Sequence, residues 1–263
     1  MALTFNNILL PLPLEGIPRG AVRRAGELAD CTGAKVHVIY IIEEEVFNEV
    51  SKQAHHVLTG PGRMRLFHDL REAHRKNAKE MILPEVTQIL GVKPASFSVK
   101  EGAYHDIVLS SVDGLKADLV IMEYRAYSLI NYRIMDRSPV PVWIERNEGK
   151  LKRIGLFCTN LAPNVRAPRA GVELAEMSGA ELSPYFVQDP AGYIDVEEPD
   201  DVAKRFSLTW KKVEEGKFDD IIYKRSKKMD FDLIIIGRVK KRGYFHLRSK
   251  FAKKTRCSVL LVN

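Results

Sequence analysis

Ala117-Asp118-Leu119-Val120-Ile121-Met122, followed by Glu123-Tyr124-Arg125, has a second copy in Phe231-Asp232-Leu233-Ile234-Ile235-Ile236, followed by Gly237-Arg238-Val239. Each copy is a lone Asp, an unbroken apolar run and an abrupt change of character. A run without alternation is buried on both faces, as in the centre of a parallel sheet. In an open α/β sheet, ligands bind outside the carboxyl ends of such strands, where the strand order reverses. The residues after Met122 and Ile236 are therefore the first place to look for function.

Outward from these strands, the first half alternates strands and helices. Asn7 to Leu12 reads as a buried strand, ended by Pro11 and Pro13, which offer no ladder donor. Ala21, Val22, Ala25, Leu28 and Ala29 form one helical stripe that stops at Gly33. Lys35 to Ile42 is a second strand. Glu43 to about Gly62 reads as a polar loop with His55 and His56, closed by the turn signal Thr59-Gly60-Pro61-Gly62. A long amphipathic helix follows from Arg63 to Leu90, kinked or broken by Pro84. Ala95 to Val99 is a short strand, His105 to Leu115 a helix, and Val140 to Ile144 a closing strand whose Pro141 suits an edge.

After a linker at Glu148-Gly149-Lys150 the pattern restarts with a strand from Ile154 to Cys158. Glu27-Leu28-Ala29 and Gly33-Ala34 recur as Glu173-Leu174-Ala175 and Gly179-Ala180, a shift of 146. Glu101-Gly102, Asp106-Ile107 and Asp118-Leu119 recur at Glu215-Gly216, Asp220-Ile221 and Asp232-Leu233, a shift of 114, so the second copy is 32 residues shorter in its middle. The missing part corresponds to the polar loop and most of the long helix, and leaves a short helix from Pro199 to about Phe206. Val259 to Val262 closes the second copy. Two halves that alternate in this way imply two doubly wound parallel sheets with right-handed crossovers, in domains spanning 1–147 and 151–263.

The 263 residues carry a net charge of +7. Arg238, Lys240, Lys241, Arg242, Arg248, Lys250, Lys253, Lys254 and Arg256 form a basic stretch with no Asp or Glu, either an anion site or a solvated face. No apolar run reaches the roughly 18 residues of a membrane span. No signal-type segment opens the chain, so a cytoplasmic location is expected. Cys31, Cys158 and Cys257 are odd in number and widely separated, which suits core residues in a reducing compartment. His68 and Glu72 are spaced i, i+4, but without convergent partners they read as a solvated helix face, not a metal site. Ser110, Ser111 and Ser138 lack a nucleophile-elbow context, and there is no Walker A or dinucleotide glycine motif. No catalytic residue is assigned. Asp118 and Asp232 read as turn-terminating residues, and Trp143 and Trp210 as packing residues. Tyr244, Phe245, His246 and Phe251 interleave the basic stretch in a way that suits single-stranded nucleic acid. No nucleic-acid module accompanies them, so nucleic acid is not the favoured partner.

The ordered series Glu-Leu-Ala-x-x-x-Gly-Ala, Glu-Gly-x-x-x-Asp-Ile, Ala-Asp-Leu-Val-Ile-Met and Val-Pro-Val-Trp-Ile, met a second time through Cys-Ser-Val-Leu-Leu-Val, resembles the universal stress protein family in its tandem two-domain form. The resemblance covers nearly the whole chain. It implies two five-stranded α/β sheets of order 3-2-1-4-5, the second domain shortened. It also implies an intrachain pseudo-dimer with Val140 to Ile144 beside Val259 to Val262, and leaves room for a further homodimer. Many members bind ATP through a motif after the fourth strand: Gly, two residues, Gly, nine residues, Gly, then Ser or Thr. An Asp at the end of the first strand helps hold the adenosine.

Both halves depart from that pattern. In the first, Glu123 and Ala126 take glycine positions, Asp136 falls near the third, and Pro13 replaces the first-strand Asp. Glu123 would repel phosphate, so ATP is not expected there. In the second, Gly237 is kept, Lys240 replaces the next glycine, Lys250 lies ten further on, and Thr159 takes the first-strand position. Arg238, Lys240, Lys241 and Ser249, with Thr159 and Gly237, form a candidate anion or nucleotide site in which side chains replace the glycine cradle. The leading expectation is a non-enzymatic stress-response regulatory or interaction module with a degenerate ATP motif. Its protein partners would be met by the Glu43 to Leu90 region found only in the first half. The alternative is a nucleotide-binding protein for ATP or AMP, or a slow ATPase, acting from the second half. A third reading, a polyanion binder, predicts salt-sensitive affinity.

Overall fold

The computed structural model describes residues 5–44, 60–124, 129–146, 149–192, 197–228, 231–237, 255 and 257–262. They divide into two compact units, residues 6–122 and residues 123–263, the latter with residues 1–5.

In the first unit, β1 (Asn7–Leu12) and α1 (Arg19–Thr32) are followed by β2 (Lys35–Ile42) and α2 (Gly60–Asn77). A π-helical turn (Ala78–Ile82) then leads to α3 (Leu83–Leu90), β3 (Ser96–Glu101), α4 (Tyr104–Gly114) and β4 (Leu119–Glu123). The strand order β3-β2-β1-β4 is parallel throughout. The apolar run Leu119 to Met122 is wholly buried, as are Ala21, Val22, Ala25, Leu28 and Ala29 of the α1 stripe.

The second unit contains α5 (Leu129–Arg137), β5 (Val142–Glu145), β6 (Arg153–Thr159), α6 (Arg166–Ser178), β7 (Glu181–Gln188) and α7 (Pro199–Phe206). It continues with β8 (Lys212–Glu215), α8 (Phe218–Lys228), β9 (Leu233–Gly237) and β10 (Ser258–Val262). Its strand order is β5-β10-β9-β6-β7-β8. From β8 to β10 this is the order 3-2-1-4-5, all parallel, and β5 adds to β10 antiparallel, with Trp143 opposite Leu260. The fifth strand of the first half is thus hydrogen-bonded to the fifth strand of the second.

Repeated residues do repeated work. Gly33 and Gly179 end α1 and α6 in the left-handed region, with φ of 72° and 66°, where a Cβ is unfavourable. Gly102 and Gly216, at φ of 138° and 140°, follow β3 and β8. Their N–H groups donate to the last carbonyls of β2 and β7, Ile42 at 3.1 Å and Gln188 at 3.0 Å. The side chains of Ile107 and Ile221 sit over these two glycines.

Asp118 and Asp232 have the most consequential role. The Asp118 carboxylate accepts from the Asn6 N–H at 2.7 Å and the Asn7 N–H at 3.1 Å, one oxygen each. The Asp118 N–H in turn donates to the Asn7 carbonyl at 2.9 Å. In the second half one oxygen of Asp232 accepts from both Lys152 N–H, at 2.8 Å, and Arg153 N–H, at 2.9 Å, and the Asp232 N–H donates to the Arg153 carbonyl at 2.9 Å. Each Asp therefore clamps the start of its own central strand pair, β1 with β4 and β6 with β9, a more specific task than ending a turn.

Two expectations need correction. Thr59-Gly60-Pro61-Gly62 is not a closing turn: α2 begins at Gly60, and Pro61 stands at the first turn, where its missing N–H costs nothing and its fixed φ suits the helix. Pro11 does not end β1, since it still pairs beside Ile39. It does end the pairing with β4, whose register stops at Leu9 and Val120. Pro84 acts as expected. It cannot donate within the helix, and the ladder ahead of it slips to a π turn closed by the Leu83 N–H on the Ala78 carbonyl.

The clamps predict unequal responses to Asn. Asp118→Asn must turn an amide N–H₂ towards one of two backbone donors, whereas Asp232→Asn can keep both donors on its remaining oxygen. Denaturant unfolding should show a loss of about 1–2 kcal/mol for Asp118→Asn and a clearly smaller loss for Asp232→Asn.

Candidate functional site

The carboxyl ends of the central strands, between β1 and β4 and between β6 and β9, are the two switch-point crevices at which a ligand is expected.

In the first crevice, Pro11 faces β4 and has no N–H. Its carbonyl, beyond the last β1–β4 pair, accepts the buried hydroxyl of Tyr104 at 3.2 Å. Tyr104 is 2% exposed and stands at the first turn of α4. The sequence brings it there through Gly102, whose positive φ swings the chain from β3 into the helix. An aromatic side chain thus fills the gap that Pro11 opens. Pro13 follows where a ligand-holding Asp would stand, and Glu123 lies exposed at the end of β4. Neither the Pro13 nitrogen nor the Glu123 carboxylate is a donor for an anion.

At the second crevice the β6 side is differently built. The β6–β9 register ends with Phe157 opposite Ile236, so Thr159 and Gly237 lie just beyond it at the ends of adjacent strands. Thr159 is 3% exposed and its polar groups are engaged. Its N–H donates to Asn164 Oδ1 at 3.1 Å, its carbonyl accepts from Asn164 Nδ2 at 2.9 Å, and its Oγ1 accepts from the Leu161 N–H at 3.3 Å. Asn160 extends this turn to β7: its Nδ2 donates to the Asp189 carbonyl at 3.0 Å, and its Oδ1 accepts from the Asp189 N–H at 2.8 Å. The Asp189 carboxylate, on a residue 3% exposed, accepts from the Ala191 N–H and from the Phe218 N–H that opens α8, both at 2.8 Å. A negative charge on a helix N-terminus is favourable, and here the protein supplies that charge itself.

Of the sequence-derived site residues, the structure brings Thr159 and Gly237 together; Arg238, Lys240, Lys241 and Ser249 lie outside the described residues, as do His55 and His56 and the aromatic residues of the basic stretch. At Gly237 a Cβ would meet, among the described residues, only the Ala167 Cβ, at 3.7 Å, an ordinary contact. Asn160, Asn164, Asp189 and Tyr104 were missed by the sequence reading. Asp189-Pro190-Ala191-Gly192 carried a usable signal, because an Asp followed by Pro and a small residue is an Asx-turn pattern.

Titratable groups follow their surroundings. Burial pushes the Cys158 thiol up, which removes it as a thiolate nucleophile. His37 is lowered by burial and then by Lys35; its ring bridges Ser96 at 2.8 Å and Asn7 at 3.3 Å, at the opposite end of the strands from the crevice. Glu214 is lowered, first by its hydrogen bond from Arg225, which is raised by the same bond. His68 is largely exposed beside Asp69. Trp210 packs edge-on against Phe186 and donates to the Pro199 carbonyl at 2.9 Å. No described helix is long and apolar enough to cross a membrane.

α2 belongs to the part present only in the first half. Glu101, the last residue of β3, pairs with Arg71 at 3.3 Å and Arg75 at 2.6 Å on α2. Its repeat partner Glu215 is exposed. None of residues 64–77 is buried, and the first buried side chain is Ala78 in the π turn. Leu66, Phe67 and Leu70 are half-buried, while Met64 and Met81 are 74% and 65% exposed.

No protein-family model matches the sequence, and no curated protein matches it. Solved structures do match. A universal stress protein from Archaeoglobus fulgidus DSM 4304 superposes with a TM-score of 0.68 at 14% identity, covering 98% of this chain and 96% of that one. A Pseudomonas aeruginosa UCBPP-PA14 protein provisionally named a universal stress protein gives 0.65 at 13% identity, covering 98% and 93%. The cytoplasmic domain of a prokaryotic cation chloride cotransporter gives 0.54 at 13% identity, covering 98% and 95%. The chain therefore has the fold of universal stress proteins along nearly its whole length, and at these identities the likeness is one of fold.

Removing the crevice fillings should destabilise the protein. Tyr104→Phe leaves the Pro11 carbonyl buried without its donor and should cost about 1–2 kcal/mol in denaturant unfolding. Asp189→Ala strips acceptors from two backbone N–H groups and should cost about 2–3 kcal/mol.

Proposed function

We propose that the chain is a non-enzymatic regulatory module that works by binding another protein through the α2 region of its first half. The observation that carries this reading is the state of α2. Residues 64–77 contain no buried side chain, yet Glu101 fixes the helix through Arg71 and Arg75. Amphipathic helices in proteins are normally held by burying their apolar face. Here Leu66, Phe67 and Leu70 are only half-covered and two methionines stand in solvent, a composition suited to adaptable protein contacts. Contacts at the strand ends support the same reading. Tyr104 stands buried at one crevice, and at the other Thr159 has its N–H, carbonyl and hydroxyl engaged by Asn164 and Leu161. A stress-response setting is the expectation that the fold brings with it.

One observation favours a second reading, nucleotide binding from the second half. Gly237 is retained although no described residue would crowd a Cβ there, and a glycine at that place would let a phosphate approach the backbone. In that reading Arg238, Lys240, Lys241 and Ser249 supply the phosphate contacts, and ATP or AMP binding is lost in Lys240→Ala with Lys241→Ala.

The partner reading is tested in cells with photo-crosslinking side chains at Met64, Met81 and Val213, the last 42% exposed in the second half. Discrete adducts are expected from Met64 and Met81 and lost on Leu66→Asp with Phe67→Asp. Adducts from Val213 alone, or from none of the three, would overturn it.

A further inference from the structure

The antiparallel pair of β5 and β10 has an apolar centre: Val142, Trp143 and Ile144 stand opposite Leu261, Leu260 and Val259. All six are buried. One step further, the same register sets Glu145 against Ser258. Glu145 is 1% exposed and Ser258 fully buried. The Ser258 hydroxyl donates to Glu145 Oε1. The Arg146 N–H reaches both Glu145 Oε1 and Ser258 Oγ at 3.1 Å, and Trp143 Nε1–H donates to Glu145 Oε2 at 3.1 Å. A buried carboxylate is tolerated only where donors converge on it, and the donor that crosses the seam here is Ser258.

The two strands are the corresponding closing strands of the two halves, so each could in principle pair with its own kind from a second chain. A twofold pairing of two β5 strands centred on Trp143 would put Glu145 opposite Pro141, which has neither a donor side chain nor an N–H. The matching pairing of two β10 strands centred on Leu260 would put Ser258 opposite Val262. Only the mixed pair places the hydroxyl on the carboxylate. We infer that Glu145 and Ser258 are a recognition element that makes the β5 edge accept β10 and reject a second β5, so that dimers joined by like closing strands do not form. The apolar residues supply adhesion for either arrangement, and the buried carboxylate makes the like-with-like arrangement costly. This inference is independent of the α2 partner reading.

The test uses the full-length chain, unfolded in denaturant and refolded over a range of concentrations, with species counted by size exclusion and light scattering after dilution. Wild type should give the same species as the protein that was never unfolded. Glu145→Gln keeps an amide for Trp143 and Ser258 but removes the charge penalty, and Glu145→Leu with Ser258→Val makes the seam wholly apolar. Each should yield at least about tenfold more of a dimer that persists on dilution, since the buried charge no longer opposes like-with-like pairing. The Gln variant guards against a fold too weakened in the double variant to be informative. If both refold to the wild-type distribution, or if wild type dimerises as readily as they do, the inference is wrong.

Discussion

Everything in this protein depends on two aspartates that hold the central strands in register. Asp118 and Asp232 each accept two consecutive backbone N–H groups at the start of the neighbouring strand and return a hydrogen bond from their own N–H. A parallel pair slipped by one residue would turn every side chain to the other face. The cost would be severe where Leu119 to Met122 and Leu233 to Ile236 are buried on both faces. With the register fixed at the amino ends, the positions of the carboxyl ends follow. Pro11 then meets Tyr104 and Thr159 meets Asn164. The repeat in sequence is a repeat of this device, which is why Asp-Leu and Glu-Gly recur together at one shift.

What differs between the halves is what the fold is used for. The first half closes its crevice with an aromatic ring and carries an additional helix that Glu101 holds at a distance from burial. The second half ties the end of β6 to β7 and α8 with side-chain amides and Asp189, and keeps Gly237. Among the described residues, the polar groups of Tyr104, Thr159 and Asp189 meet the protein itself. A polar group satisfied at a buried site must be released before it can bind anything else, at a cost comparable to the bond it leaves.

Much of the fold was legible because burial leaves a pattern. Unbroken apolar runs marked β4 and β9, the Ala-Val-Ala-Leu-Ala stripe marked α1, and Gly33 and Gly179 marked the helix ends. The strand order came from the resemblance rather than from the runs themselves. The turn signal at Thr59 to Gly62 misled, because glycine and proline punctuate helix starts as well as turns, and only the following residues distinguish them. Pro11 misled for a related reason: a proline ends pairing on the side its nitrogen faces, and sequence does not say which side that is. The candidate site was less legible. Thr159 and Gly237 could be placed from the repeat, but Asn160 and Asp189 meet through contacts between residues 29 apart in sequence, which no local pattern encodes. Tyr104 is further still, 93 residues from Pro11.

The most direct measurement is the thermal midpoint of the full-length protein with and without saturating Mg-ATP, with AMP and inorganic phosphate alongside. A ligand that binds only the folded state must raise it. An account that places the working surface on α2 predicts no change with any of the three. A clear rise with Mg-ATP would contradict that account and place the working site in the second half instead of on α2.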